Sequence, residues 1–309
     1  MARVMGLVYR LARHEDLSQV AAVFSTAIDD LNKRHGFLVE PTPRSPPNPQ
    51  YAFWLEKNPS SFWVAENNGR IAGYTFSFLR GSLWFLADLF IMPNYQGKGV
   101  GRSLIERTLG SWRSHRIANR ALITPAFNRS SASLYMRFGM FPRHVLYFAS
   151  APKERILQGL DLIDTKPLEA KESAQGESRV PELNRIDQQA LGFSLGWHHE
   201  FFLGVQQARC FILRKDGHLK GYVYVRRNGR IGPLVVTSRP SFRAALMAAL
   251  SLAANGDNKD VTVFYAGSNE EAASAFVKCG FRLEYPLLFM SAHPMGEWDN
   301  YLFYSPGLM

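Results

Sequence analysis

Cysteine is scarce: the chain has 309 residues and two of them, Cys210 and Cys279, are cysteine. Two thiols cannot build a disulfide framework or a Cys-rich zinc site, and such sparing use is expected of a cytoplasmic protein. Long apolar runs are missing too. No stretch reaches the roughly 18 residues that a membrane span needs, and Met1–Arg10 lacks the apolar core of a signal peptide, so neither membrane nor export is expected. Acidic residues are in deficit, 26 against 36 Lys and Arg, which leaves a net charge of +10. That balance favours an anionic partner: a phosphorylated cofactor, an acidic substrate or nucleic acid. The basic residues, from Arg10, Arg13, Lys33 and Arg34 to Arg226, Arg227 and Arg230, are scattered without a recognised nucleic-acid module, so a solvated basic surface is expected and no nucleic-acid partner. Both G-x-x-x-x-G-K-[ST] and G-x-G-x-x-G are absent, which removes the Walker loop and the dinucleotide fingerprint.

What is present describes an ordinary globular core: 46% hydrophobic residues, 20% charged and 22 Phe. The length fits about two domains. Two internal echoes say how they arose. Phe62–Tyr74 and Cys210–Tyr222 both read as strand, tight turn, strand, with Gly69, Gly73 and Tyr74 answered by Gly217, Gly221 and Tyr222 at one offset. Asn67-Asn68-Gly69 and Asp216-Gly217 are hairpin chemistry. Further on, Asn128, Ala132, Tyr135 and Gly139 keep the spacing of Asn269, Ala273, Phe276 and Gly280. Each set opens a short helix on an Asn N-cap and closes it on Gly. Two echoes in the same order indicate a duplicated fold. Residues 1–150 form a first domain, 151–180 a polar linker and 181–309 a second domain.

Within the first half, Val4–Leu11 reads as a strand. Leu17, Val20, Ala21, Phe24, Ile28 and Leu31 then recur at helical spacing. Five prolines from Pro41 to Pro49 predict a non-helical loop. Three antiparallel strands, a glycine-rich turn, a helix from Arg102, a strand at Arg120–Thr124 and a helix at Arg129–Phe138 follow. The second half runs in the same order, and strands alternating with helices give each half a mixed α/β sheet.

The chemistry sits at Asp88–Leu104, where an apolar strand enters the turn Gln96-Gly97-Lys98-Gly99-Val100-Gly101 and a helix opens at Arg102 and Ser103. Glycines let backbone N–H groups converge, and a helix start adds free donors and a positive dipole end. Lys98 and Arg102 add charge at the rim. Strand, turn and helix in this order suit a diphosphate better than a bare Gly-x-Gly would.

These residues resemble the GCN5-related N-acetyltransferases (GNAT), whose acetyl-CoA loop reads Gln/Arg-x-x-Gly-x-Gly/Ala. Gln96–Gly101 matches it in full. Asn128–Phe141 matches the family's Asn…Ala…Tyr…Gly-Phe stretch, with Met140 intervening. The resemblance covers residues 4–149 and, more faintly, the second half, so the whole looks like a tandem acetyltransferase. It implies that the backbone from Gln96 to Gly101, with Arg102 and Ser103, holds the CoA diphosphate. It also implies that Leu89, Phe90 and Ile91 pair with the pantetheine arm, that Asn128 contacts that arm, and that Tyr135 protonates the departing thiolate. For a lone Tyr, packing against Ser131 and Phe138 is the competing reading. Relatives often carry Glu in the strand before the loop, where this chain has Ala87-Asp88. Asp88 is the candidate base, with substrate binding, turn capping or proton loss through water as alternatives.

The second half lacks the glycine loop, has Pro240 in its place and carries Phe276 where Tyr135 stands, so it is not expected to catalyse. Gly192-Phe193-Ser194-Leu195-Gly196 fits a nucleophile elbow, but the residues before it read as a polar helix rather than a buried strand. His198-His199-Glu200 offers adjacent ligands with no third partner, so no metal is expected. Phe37, Tyr51, Phe53 and Trp54 are candidates for the acceptor pocket. The expectation is an acetyl-CoA-dependent N-acetyltransferase acting on a primary amine, small-molecule in kind, by direct attack. The alternatives are a non-catalytic acyl-CoA sensor or scaffold and a protein Lys or N-terminal acetyltransferase.

Overall fold

A computed structural model describes residues 6–37, 49–173 and 179–309. Val4, Met5, residues 40–48 of the proline-rich stretch and residues 174–178 of the expected linker lie outside the described residues. The chain divides into two compact units. One comprises Met1–Leu122 and Phe127–Met140, the other Ile123–Ala126 and Phe141–Met309.

The first unit begins with β1 (Leu7–Leu11) and α1 (Leu17–Arg34). Helix α1 buries the apolar stripe read from its spacing, including Leu17, Val20, Ala21 and Leu31. Ahead of it, Asp16 receives a bidentate pair from Arg10 at 2.6 and 2.8 Å and the Arg13 N–H at 2.8 Å. Burial pushes this carboxyl up, but the Arg10 bonds outweigh it and hold the acid below its ordinary range. A helix the sequence does not announce, α2 (Pro49–Lys57), starts on a proline. Proline is tolerated in a first helical turn, where the N–H it lacks has no acceptor. Next come β2 (Phe62–Asn67), β3 (Arg70–Arg80), β4 (Leu83–Ile91), α3 (Val100–Gly110), β5 (Asn119–Pro125) and α4 (Arg129–Met136). Strands β1 to β4 are antiparallel neighbours in chain order. Trp54, Phe62, Tyr74, Phe76, Phe78, Trp84 and Phe85 are buried in this unit, with Trp54 stacked on Phe76 at 4.6 Å.

The second unit holds β6 (Phe141–Pro152), α5 (Lys153–Leu160), β7 (Glu169–Glu172), α6 (Val180–Leu191), the single turn α7 (His198–Glu200), β8 (Arg209–Lys215) and β9 (His218–Val225). After these come β10 (Ile231–Val236), α8 (Phe242–Ala254), β11 (Asp260–Ala266), α9 (Glu270–Lys278), β12 (Arg282–Ser291) and β13 (Tyr301–Leu302). One sheet runs β13-β10-β9-β8-β7, and β6 lies between β12 and β11. The stretch read as linker therefore contributes α5 and β7. Strand β7 pairs antiparallel with β8 as β1 does with β2, so it opens the second repeat. Its four residues are all exposed, which hides a strand from any apolar alternation. The core packs Ala-rich α8 against β9, β10 and β11.

Candidate active site

Strand β4 pairs with β3 along its length, from Leu83 to Ile91. Its parallel pairing with β5 covers only Leu83–Leu86 against Asn119–Leu122. Ala87–Ile91 therefore carry no ladder partner on that side among the described residues. A bulge marks the change: Phe76 faces Asp88 and Ser77 faces Leu86, so Ala87 is the extra residue. The free edge is one wall of a cleft, and it contains the predicted Leu89, Phe90 and Ile91.

The loop after β4 has the backbone the sequence implied. Gly97 and Gly99 adopt φ of +72° and +82°, and a Cβ on either would meet nothing within 4 Å. The glycines are therefore required by conformation rather than by space. Ser103 N–H donates to Gly99 O at 3.1 Å and begins the ladder of α3. The N–H groups of Val100, Gly101 and Arg102 precede it and lack helical acceptors. Side chains in the loop have other work. Gln96 Nε2 donates to Ile91 O at 3.0 Å and ties the loop to the end of β4. Val100 is buried with Ala65 and Leu104, so its backbone alone faces the loop. Lys98 is exposed, 5.8 Å from the Tyr95 ring centre, and exposed Arg102 pairs with Glu106 at 2.9 Å.

Asn128 is the N-cap of α4, its Oδ1 accepting from Ser131 N–H at 3.2 Å. Tyr135, near the other end of the same helix, is 6% exposed. Burial pushes its phenol above the ordinary range; a hydrogen bond with Ser131 works against that, and the Asp88 charge adds to it.

Asp88 is crowded by protein yet keeps accessible surface, as a group at the floor of a cleft does. Burial raises its pKa from 3.8 to about 7, against a hydrogen bond from Tyr74 that lowers it. Tyr74 Oη donates to Asp88 Oδ2 at 2.9 Å, and Tyr51 Oη lies 3.0 Å from Tyr74 Oη. Phe90 stacks on Tyr74 at 5.7 Å and meets Phe24 of α1 edge-on at 4.8 Å. In the sequence Tyr74 stands out only as half of a repeated Gly-Tyr pair, and that repetition is the available signal. Of the aromatic pocket candidates, Tyr51 joins this chain and Phe37 packs on Phe127 at 4.7 Å. Phe53 has Lys57 Nζ at 5.4 Å, whereas Trp54 is wholly in the core.

The second unit shows what has been lost. Phe276 stands at the Tyr135 position, buried against Tyr265 and Phe281. Ser194 follows helix α6, so the G-x-S-x-G match has no strand before it. His199 is fully buried, with Nε2 2.9 Å from Asp187 Oδ2 and Nδ1 3.0 Å from Tyr224 Oη. Among the described residues no group of three His, Cys, Asp or Glu side chains could hold a metal ion. No helix among them is long and apolar enough to cross a membrane.

Residues 26–140 match the sequence model of the acetyltransferase (GNAT) family. No curated protein matches the chain. Among solved structures, a putative acetyltransferase from Pyrococcus horikoshii is similar at a TM-score of 0.73 and 17% identity, over 99% of this chain and 97% of that one. A GCN5-related N-acetyltransferase from Sphaerobacter thermophilus is similar at a TM-score of 0.65 and 14% identity, over 97% and 100%. A tandem GNAT protein of the clavulanic acid biosynthesis pathway is similar at a TM-score of 0.61 and 15% identity, over 94% and 100%.

Proposed function

We propose, for a chain that belongs to the GNAT acetyltransferase superfamily and carries its fold twice, that the first unit transfers an acetyl group from acetyl-CoA to a small primary amine. The observation that carries this reading is the unpaired β4 edge at Ala87–Ile91, which contains Asp88 and runs on into the Gly97/Gly99 loop. These features fit the donor. A diphosphate suits the acceptor-free N–H groups of Val100, Gly101 and Arg102, and an amide-bearing arm suits a bare strand edge. When bound, acetyl-CoA supplies an activated thioester.

The chain's own residues then divide the work. An N–H among Leu89–Ile91 donates to the carbonyl oxygen as negative charge develops there. Asp88 accepts the proton that the ammonium must lose before its nitrogen can attack. A carboxyl of pKa about 7 is half-ionised near neutrality, which suits a base whose conjugate acid must form again in each turnover. Tyr135 gives its phenolic proton to the departing thiolate. Its raised pKa keeps that proton in place at neutral pH. The C–S bond breaks as the C–N bond forms. Nitrogen sheds two protons: the first goes to Asp88, and the second, acidic once nitrogen is bonded to the acyl carbon, restores the Tyr135 phenol that protonated the thiolate. A carboxyl at the floor of a crowded cleft also supports a compact, cationic acceptor over a bulky one.

Tyr135→Phe is the test. Acetyl-CoA affinity stays within about threefold of the wild type, while kcat falls by about 100-fold or more, the usual worth of a general acid. An unchanged kcat removes Tyr135 from the mechanism, and loss of affinity in step with kcat assigns it to binding.

A further inference from the structure

Strand register aligns the two units residue by residue. In the first, Tyr74 pairs with Phe90 and Thr75 with Leu89, with a bulge beyond the Phe76 pair. In the second, Tyr222 pairs with Val235 and Val223 with Leu234, with a bulge between Leu234 and Ile231. Gly232 and Pro233 therefore stand where Ala87 and Asp88 stand. The parallel neighbours agree as well: Phe85 pairs with Ala121, and their counterparts Arg230 and Thr262 form a parallel bridge. The second unit thus contains the same cleft between β10 and β11, with Leu234 and Val235 on the edge that Leu89 and Phe90 leave bare.

That edge is not bare in the second unit. Leu302 pairs with Leu234 and Tyr301 with Val235, antiparallel. The next residue, Phe303, donates its N–H to Phe264 O on β11 at 3.0 Å. One extended segment therefore bonds both walls of the cleft, and Tyr301, Leu302 and Phe303 are at most 1% exposed. Asn269, the counterpart of Asn128, caps α9 as Asn128 caps α4, and its Nδ2 donates to Trp298 O at 3.1 Å. Gly232 is shaped to the segment: at φ +129°, a Cβ there would run into Phe303 O. The open copy has Ala87 at the same place.

We propose that Tyr301–Phe303, led in by the helical turn Trp298–Asn300, is an internal replacement for the pantetheine arm, closing the second unit's acyl-CoA cleft so that the chain takes up one acyl-CoA, in its first unit. The identity of the ligand replaced rests on the acyl-CoA reading of the first unit. An extended peptide offers the alternating N–H and C=O groups with which an amide-bearing arm would pair. Being part of the chain, it competes at a high effective concentration that a free ligand does not match. Its presence also accounts for the missing glycine loop: with no diphosphate to hold, Arg239-Pro240-Ser241 fills the turn before α8 instead.

The test is amide hydrogen exchange on the full wild-type chain, with and without saturating CoA, beside native mass spectrometry for stoichiometry. The expected result is one CoA per chain, with Ala87–Ile91 gaining protection on binding. Val235 and Phe303 amides should exchange at least about 100-fold slower than in an unstructured chain, whether or not CoA is added. Two CoA per chain, or loss of protection at Tyr301–Phe303 as CoA is added, overturns the proposal. No CoA bound, with Phe303 still protected, defeats the reading of the first unit but not the occupied cleft; rapid exchange at Phe303 in the chain alone overturns the latter. Gly232→Ala supplies a second arm. It should speed exchange at Tyr301–Phe303 by about tenfold or more, the effect of locally freeing the segment, while CoA still protects Ala87–Ile91. Unchanged exchange in that variant contradicts the packing on which the proposal stands.

Discussion

Replacing Asp88 with asparagine should stabilise the protein above neutral pH and leave it nearly unchanged near pH 4. Burial raises this carboxyl from 3.8 to about 7, so the folded state holds its proton more tightly than the unfolded chain does. Well below pH 3.8 both states are protonated and the site costs nothing, and at pH 4 the cost is still small. As pH rises from about 4 to about 7 the unfolded chain ionises first, and the folded state falls behind. Above about pH 7 the penalty is complete. At 1.36 kcal/mol per pKa unit it reaches about 4 kcal/mol, reduced toward about 2 by solvent at the partly open carboxyl. The asparagine side chain would carry no such penalty and could still accept from Tyr74. Urea unfolding of both proteins at a series of pH values from about 4 to about 8.5 reads the difference directly. The variant's advantage should grow through this window and level off near pH 7. A difference that is flat with pH, or of the opposite sign, refutes the placement of a strained carboxyl at the cleft floor. In activity, the wild type should show an acid limb of kcat/KM near pH 7, and the variant should lose that limb and fall by about 100-fold or more at pH 8.

Tyr74→Phe removes the bond that lowers Asp88's pKa, so the acid limb of kcat/KM should move to higher pH; an unmoved limb separates Tyr74 from the base. Gly99→Ala forces an L-residue to φ +82°, at a cost of about 1–2 kcal/mol, and should weaken acetyl-CoA binding by roughly tenfold in titration calorimetry with little change in the amine KM. Asp16→Asn breaks a part-buried bidentate pair with Arg10 and should lower stability by about 2 kcal/mol at pH 7, read by urea unfolding. Because Asp16 is held below its ordinary range, that difference should shrink as pH falls below about 4.

The parts of the fold that announce themselves in the sequence are those where a local rule operates without competition. The Asn67-Asn68-Gly69 turn, the helical stripe of α1 and the N-caps Asn128 and Asn269 are of this kind. Elements without apolar periodicity stay hidden. Exposed β7 has no buried face, and the two-residue β13 exists only because Leu234 and Val235 offer it an edge. The site divides in the same way. Glycines at positive φ and a helix start are local, so the loop is readable. The link from Tyr51 through Tyr74 to Asp88 joins three separate elements, α2, β3 and β4, and only folding brings it together.

The most direct measurement is free-thiol release from acetyl-CoA by the wild-type chain across a panel of small primary amines and peptides, with the acetylated product identified by mass spectrometry. The account predicts turnover with a compact cationic amine, N-acetylated in equal measure to the thiol released. Tight acetyl-CoA binding with no turnover of any amine in the panel, or transfer confined to peptides, would contradict it.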